Sequence, residues 1–280
     1  MTPLAADFQA VFAREPLDLA AGALVIARLE YPHLDPRPSL RQLDALGRRA
    51  ADVTGPSADP VRARVARLNA LLFDDEGFAG NRVHYDDFRN SLLNVVLDRR
   101  LGIPITLGLI YIEVARRAGI DVQGIAFPGH FLLSVPTDAA PALILDPFAA
   151  GEELDEAGCR ALLTRVFGED AAFDVRLLRP CTPRQLLLRL LNNLKRTYIE
   201  VLAFGQARRV TDLLLAGDPT LLAELRDRGL LSYQLDDYPA ALRDLEAYLR
   251  LHTRADAEDE EHEQIRQHVQ ALRRRVASLN

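Results

Sequence analysis

The sequence predicts an α+β protein: a buried helix packed on a small antiparallel sheet, flanked by an N-terminal helical region and a C-terminal all-α repeat array. Three observations carry this. Residues 104–115 are apolar with no polar face, the mark of a central helix. After Gly119 the pattern switches to short β-type runs separated by turn residues. From Thr182 the chain is helical again and resembles itself at an offset of 34 residues, a spacing typical of helical repeats.

Composition sets the class. With 280 residues, 49% hydrophobic and 26% charged, the chain is globular, one or two domains long, and neither disordered nor fibrous. Its net charge of −6 offers no broad electrostatic footprint, so neither a nucleic-acid partner nor a membrane surface is expected. Asp7, Arg14 and Glu15 interrupt the N-terminus before a signal-type apolar core can form. The longest apolar run, Leu101 to Ile112, is shorter than the ~18–20 residues of a spanning helix, and a cytoplasmic protein is expected. Cys159 and Cys181 are the only cysteines; they form no C-x-x-C and no cluster with histidine, so no disulfide framework, no metal site and no cofactor is expected. Lys195 is the only lysine, which reflects base composition, and Trp is absent.

Residues 1–70 form the N-terminal helical region, rich in Ala, Leu and Arg and broken by Thr54-Gly-Pro-Ser-Ala-Asp-Pro60. Asp18 to Ile26 is apolar enough for a buried helix, and His33 beside Pro32 reads as a turn residue.

Residues 71–178 form the core. His84-Tyr85-Asp86 reads as a loop feeding a helix cap at Asp86 or Asp87, ahead of a helix through Phe88, Leu92, Leu93, Val96 and Leu97 that Gly102 stops. On that helix Asn90 and Asn94 stand at i, i+4, placed either to line one cleft or to make a cap or interhelix bond. Pro104 suits the first turn of the next helix, which Arg116, Arg117 and Gly119 end. Three β-type runs follow, Ile120 to Phe127, His130 to Val135 and Ala142 to Asp146. A symmetric closure of the last two sets Val135 opposite Pro141 and therefore His130 opposite Asp146, where paired Cβ atoms lie about 4.5–5.5 Å apart.

Residues 182–280 form the repeat array, opened by Thr182-Pro183 as helix cap and first turn. Phe204, Ala207 and Pro219 match Tyr238, Ala241 and Thr253, while Lys195 stands where the second repeat has Gly229. The last helix begins in the acidic run Asp256–Glu263 and ends in Arg273-Arg274-Arg275, which complements a helix dipole. His262 and His268, six apart, share no metal-binding helix face.

A buried helix after a glycine, followed by strands offering His and then Asp-Pro, resembles the transglutaminase-like thiol enzymes. The matching stations are Gly102, the helix to Gly119-Ile120, His130 and Asp146-Pro147. In that family the resemblance implies a Cys at the helix start whose proton the His takes, with the Asp orienting the His. Here that station holds Pro104, which offers neither nucleophile nor acid, and no Trp adjoins His130. Thr106, two residues on, and Cys159, on another segment, are the substitutes at hand.

A narrower resemblance accounts for both departures. Phe88 to Leu97, Gly102-Ile-Pro-Ile-Thr-Leu107, Phe127-Pro-Gly-His-Phe-Leu132 and Leu145-Asp-Pro-Phe148, with Arg226-Asp-Arg-Gly229, Tyr238 and Asp244-Leu-Glu246, resemble the bacterial SirB-type proteins. That family joins a transglutaminase-like domain to C-terminal tetratricopeptide repeats. The resemblance implies a degenerate core with His130 and Asp146 as a remnant pair and a regulatory role; Asn90, Asn94, Pro104 and Thr106 are the candidate cleft residues, and a scaffold that binds a protein or peptide partner is the leading expectation. The rival expectation is a hydrolase or acyl transferase, amidase- or peptidase-like, that still uses His130 and Asp146.

Overall fold

The computed structural model describes residues 2–138, 141–251 and 260–277. The chain forms two units, one of Glu15–Leu190 and one that combines Met1–Arg14 with Leu191–Asn280. This differs from a division at 1–70, 71–178 and 182–280. Helix α1 (Pro3–Phe12) belongs with the C-terminal unit, whereas residues 15–70 are built into the core unit.

The reason lies in the faces of the early helices. Helix α2 (Leu19–Ala27) is apolar on almost every side, so it packs against later helices and cannot stand in water. Its first turn is closed by Asp18, whose Oδ1 accepts from the Ala21 N–H at 2.9 Å. Helix α3 (Arg37–Thr54) lies along the buried helix predicted from residue 104. Gly47 permits the approach, since a Cβ there would stand 2.4 Å from Cβ of Arg117. Helix α4 (Val61–Asn69) runs into a π-helical turn, Ala70–Asp75.

Between Asp87 and Arg100 the predicted single helix is two elements. Asp87 caps a 3-10 turn, Phe88–Ser91, its carboxylate accepting from the Arg89 N–H at 3.0 Å. That short-range bond tightens the turn, and Leu92 is extended before α5 (Leu93–Arg99) begins. The stop is Arg100 in the left-handed region, φ 62°, not Gly102. Gly102 instead belongs to a two-residue strand, β2 (Leu101–Gly102), paired in parallel with β1 (Ala79–Gly80).

Helix α6 (Pro104–Arg117) is the centre of the unit, buried at every position from Pro104 to Tyr111. Pro104 occupies its first turn, where a missing N–H costs nothing. At the other end buried Arg64 donates to the carbonyls of Ala118, at 3.0 Å, and Gly119, at 3.3 Å. The one acidic side chain on the helix, Glu113, is met by Arg116 and Arg117.

A four-stranded antiparallel sheet packs on α6, in the order β3 (Gln123–Ile125), β4 (Leu132–Val135), β5 (Leu143–Asp146) and β6 (Glu152–Leu154). The hairpin register is shifted by two residues from the symmetric closure: Val135 pairs with Leu143 and Leu133 with Leu145. A slip of two keeps every side chain on its face. It leaves His130 outside the strand, at the end of a turn. Gly108 sets the spacing to the sheet, since a Cβ there would meet the Phe131 ring at 2.7 Å. Helix α7 (Glu156–Phe167), capped by Asp155, packs Cys159, Leu162 and Leu163 against Ile125 and Leu132 of the sheet. Helix α8 (Pro183–Glu200) begins in this unit.

The second unit is helical. Helices α9 (Phe204–Gly217), α10 (Leu222–Gln234), α11 (Tyr238–Leu251) and α12 (Glu260–Ala277) pack in sequence, with α1 against α9. Helices α9 and α11 start at the two aromatic residues of the repeat, and Ala207 and Ala241 are fully buried. Gly229 lets α10 close on α11, since a Cβ there would stand 2.7 Å from the Leu245 side chain. Thr253 and the start of the acidic run, Asp256 to Asp259, lie outside the described residues.

Candidate functional site

His130 is placed by a turn that the sequence dictates. In Phe127-Pro128-Gly129-His130 the proline presets the second position, glycine takes φ 66° at the third, and the His130 N–H returns to the Phe127 carbonyl at 3.1 Å. From α8, Arg189 clamps both ends of this turn, donating to the carbonyls of Phe127 at 2.5 Å and His130 at 2.6 Å. Asp146 ends β5 and caps the next turn, its Oδ1 accepting from the Phe148 N–H at 2.8 Å.

These two supports bring His130 Nε2 to 2.9 Å from Asp146 Oδ1, with both side chains buried. A carboxylate only accepts, so Nε2 carries the proton of this bond. Among the described residues the His130 ring has no second hydrogen-bond partner. Its face is met edge-on by the Phe148 ring, 6.1 Å between centroids.

The pair lines a cleft of about 750 Å³. The loop after β1 lines it with Arg82 and Tyr85, and α7 with Gly158, Ala161, Leu162 and Arg165. Phe148, Ala149, Glu152 and Leu154 complete it from the segment after Asp146. Arg82 stacks on the Phe148 ring, 4.9 Å from its centroid, and Tyr85 meets the same ring edge-on at 5.8 Å.

The other predicted cleft residues are elsewhere. Asn90, fully buried, is consumed by a clasp: its Oδ1 accepts from Asn81 Nδ2 at 3.0 Å, and its Nδ2 donates to the carbonyls of His84 at 2.7 Å and Tyr85 at 3.1 Å. Thr106 Oγ1 donates to the Asn90 carbonyl at 2.5 Å, which ties the start of α6 to the same clasp. Pro104 is buried at that helix start, and Asn94 is half-buried on α5, on a different element from Asn90. None of the four lines the cleft. The clasp instead holds the loop that presents Arg82 and Tyr85. Sequence reading missed Arg82, Phe148, Arg165 and Arg189.

Neither cysteine is an activated thiol. Cys159 on α7 is fully buried, and burial, joined by the charges of Asp155, Asp146 and Glu156, pushes its pKa up. Cys181 lines a separate apolar cavity of about 560 Å³ beside Ile112 and Leu186, and burial pushes it up as well. Among the described residues no three His, Cys, Asp or Glu side chains gather as metal ligands do, and no helix is long and apolar enough to cross a membrane.

Comparison with known proteins bears on both units. A transglutaminase-like superfamily model matches residues 38–192, and a tetratricopeptide-repeat model matches residues 194–277. A UPF0162 protein of Xylella fastidiosa (strain Temecula1) is 39% identical over 244 residues, 85% of each chain. A UPF0162 protein of Pseudomonas aeruginosa is 36% identical over 249 residues, 85% of this chain and 86% of its own. Human F-box only protein 21 is 34% identical over 103 residues, 34% of this chain and 16% of its own. The core built around α6 and the four-stranded sheet, the helical repeats that follow it in sequence and the reach of these matches make the chain a member of the transglutaminase-like superfamily, among the UPF0162 proteins that the SirB-type resemblance anticipated.

Proposed function

We propose that this protein is a catalytically silent transglutaminase-like protein that acts in a regulatory or scaffolding role, binding protein segments in the cleft beside His130 and through its helical repeats. The observation that carries the reading is Pro104. At the start of α6, where the helix dipole and the unpaired N–H groups of the first turn would favour a thiolate, a buried pyrrolidine ring offers neither a nucleophile nor an acid. The two thiols present are shielded and shifted away from ionisation. Both are free of disulfide, which supports a cytoplasmic setting. The tetratricopeptide match supports a protein as the partner.

A second reading has its own observation. His130 keeps an orienting carboxylate and an uncommitted Nδ1 at an open cleft, which suits a base that deprotonates water for attack on an amide or ester. Proton transfer alone contributes about 10²–10⁴ in rate, without the covalent step that divides acyl transfer in two.

One experiment separates them. Purified full-length protein is incubated with a fluorescent amine and a glutamine-containing protein, with an electrophilic thiol probe, and with a peptide library read by mass spectrometry. The expected result is no incorporation, negligible labelling in the folded state and no cleavage above that of His130→Ala. Turnover that His130→Ala abolishes would overturn the reading in favour of the hydrolase.

A further inference from the structure

We infer that the cleft beside His130 takes an acidic peptide segment, its carboxylate held by Arg82 and Arg165. This deepens the binding role proposed above and rests on it.

Arg82 and Arg165 both line the cleft, and among the described residues neither forms an ion pair. Their neighbours do. Arg160, on the same helix as Arg165, is held by Glu156 at 2.6 Å, and Arg89, on the segment after Arg82, by Asp87 at 2.9 Å. In a chain with 40 acidic and 34 basic side chains, two arginines at a cleft are left without carboxylates.

Arg82 is also set in place. Stacking on Phe148 and a 3.5 Å contact to the Phe148 carbonyl hold its guanidinium beside the ring that His130 touches. A cation already ordered loses less freedom when an anion arrives, and paired guanidinium–carboxylate bonds are among the strong ones.

The cleft's own acids do not satisfy these arginines. Asp146 is committed to His130 and to the Phe148 N–H. Glu152 pairs directly with Asp146 in the β5–β6 ladder, on the same face, and makes no ion pair with either arginine. It opposes an incoming carboxylate and gives a variant of opposite sign. Leu154 and Leu162 provide an apolar floor, so the segment that fits carries aliphatic side chains beside its acid.

The test uses immobilised full-length protein and two fluorescein-labelled pentapeptide pools, degenerate except for a central Glu in one and Gln in the other. The Glu pool is expected to be retained about tenfold more than the Gln pool. Arg82→Gln and Arg165→Gln should each reduce the ratio, the double variant should bring it to about one, and Glu152→Gln should raise it about threefold. Unchanged melting temperatures confirm that these exposed positions leave the fold intact. Equal retention of the pools, retention of neither, or a ratio indifferent to both arginines overturns the inference. Mass spectrometry of the recovered Gln pool keeps the two readings apart: amide loss there defeats the catalytically silent reading, whereas equal retention of intact peptides defeats only the preference for acid.

Discussion

His130 Nε2 donates to Asp146 Oδ1 at 2.9 Å although the two residues do not face one another across the hairpin. Asp146 reaches the histidine from the end of β5, while His130 waits in the turn before β4. The same oxygen accepts from the Phe148 N–H at 2.8 Å, so one carboxylate organises both the imidazole and the segment that forms the cleft wall.

Asp146→Ala therefore orphans two donors in a buried place, and each unsatisfied group costs about 1–3 kcal/mol. The variant should lose about 2–4 kcal/mol in urea unfolding. His130→Ala leaves Asp146 one of its two bonds and should cost less. Equal losses for the two variants would contradict this division of labour.

Asn90→Ala removes the hub of the loop clasp, taking the acceptor from Asn81 Nδ2 and one donor each from the carbonyls of His84 and Tyr85, the former still accepting from the Asp87 N–H at 3.3 Å. A loss of about 2–4 kcal/mol is expected, with faster hydrogen exchange over residues 81–87. Thr106→Val keeps the shape and removes the hydroxyl bond to the Asn90 carbonyl, so about 1 kcal/mol is expected, with the exchange pattern intact. Uniform exchange changes across the unit in Asn90→Ala would show that the clasp has no local role.

How much of this was legible in the sequence follows from the range of the interactions. Helix α6 announced itself because burial on all sides is written in consecutive residues. The His-Asp encounter was also within reach, since a two-residue register error preserves the face of a strand. The break at Leu92 was not, because it depends on Asp87 accepting from Arg89 in place of continuing a helix whose apolar spacing is sound. Nor was the fate of Asn90: its partners at 81, 84 and 85 lie in a loop whose path no periodicity encodes. Arg82, Arg165 and Arg189 are invisible for a related reason, as 33 of the 34 basic residues are arginine and only the fold tells a clamp from a surface charge.

Asp87 makes stability depend on acid. Burial raises its pKa, but hydrogen bonds from the Arg89 side chain and N–H, and from Arg99, outweigh this and hold the group below its ordinary 3.8. A depressed folded-state pKa gives stability that is complete above the unfolded value and lost as pH falls through the folded one. Asp87→Asn should cost about 1–2 kcal/mol at neutral pH, and the gap to the parent should close below about pH 3.8. A gap that persists unchanged down to about pH 2 would place the effect in packing.

In the second unit the only lysine of the chain is buried. Lys195 Nζ bonds both oxygens of Glu224 at 2.7 Å and one of Asp227 at 2.8 Å, joining α8 to α10. Lys195 stands at the repeat position that Gly229 fills one period later, where the missing side chain admits Leu245. Lys195→Met would leave Glu224, itself buried, without a cation, beside an Asp227 that keeps Arg226 at 2.7 Å, and breaking a buried pair costs about 3–5 kcal/mol. Replacing the pair together, Lys195→Met with Glu224→Leu, removes the stranded charge and should recover most of that loss, as apolar replacements of buried ion pairs often do. Urea unfolding of the two variants and the parent decides the matter. If the double variant is no more stable than Lys195→Met alone, the cost lies in lost packing around the lysine stem and not in the uncompensated carboxylate.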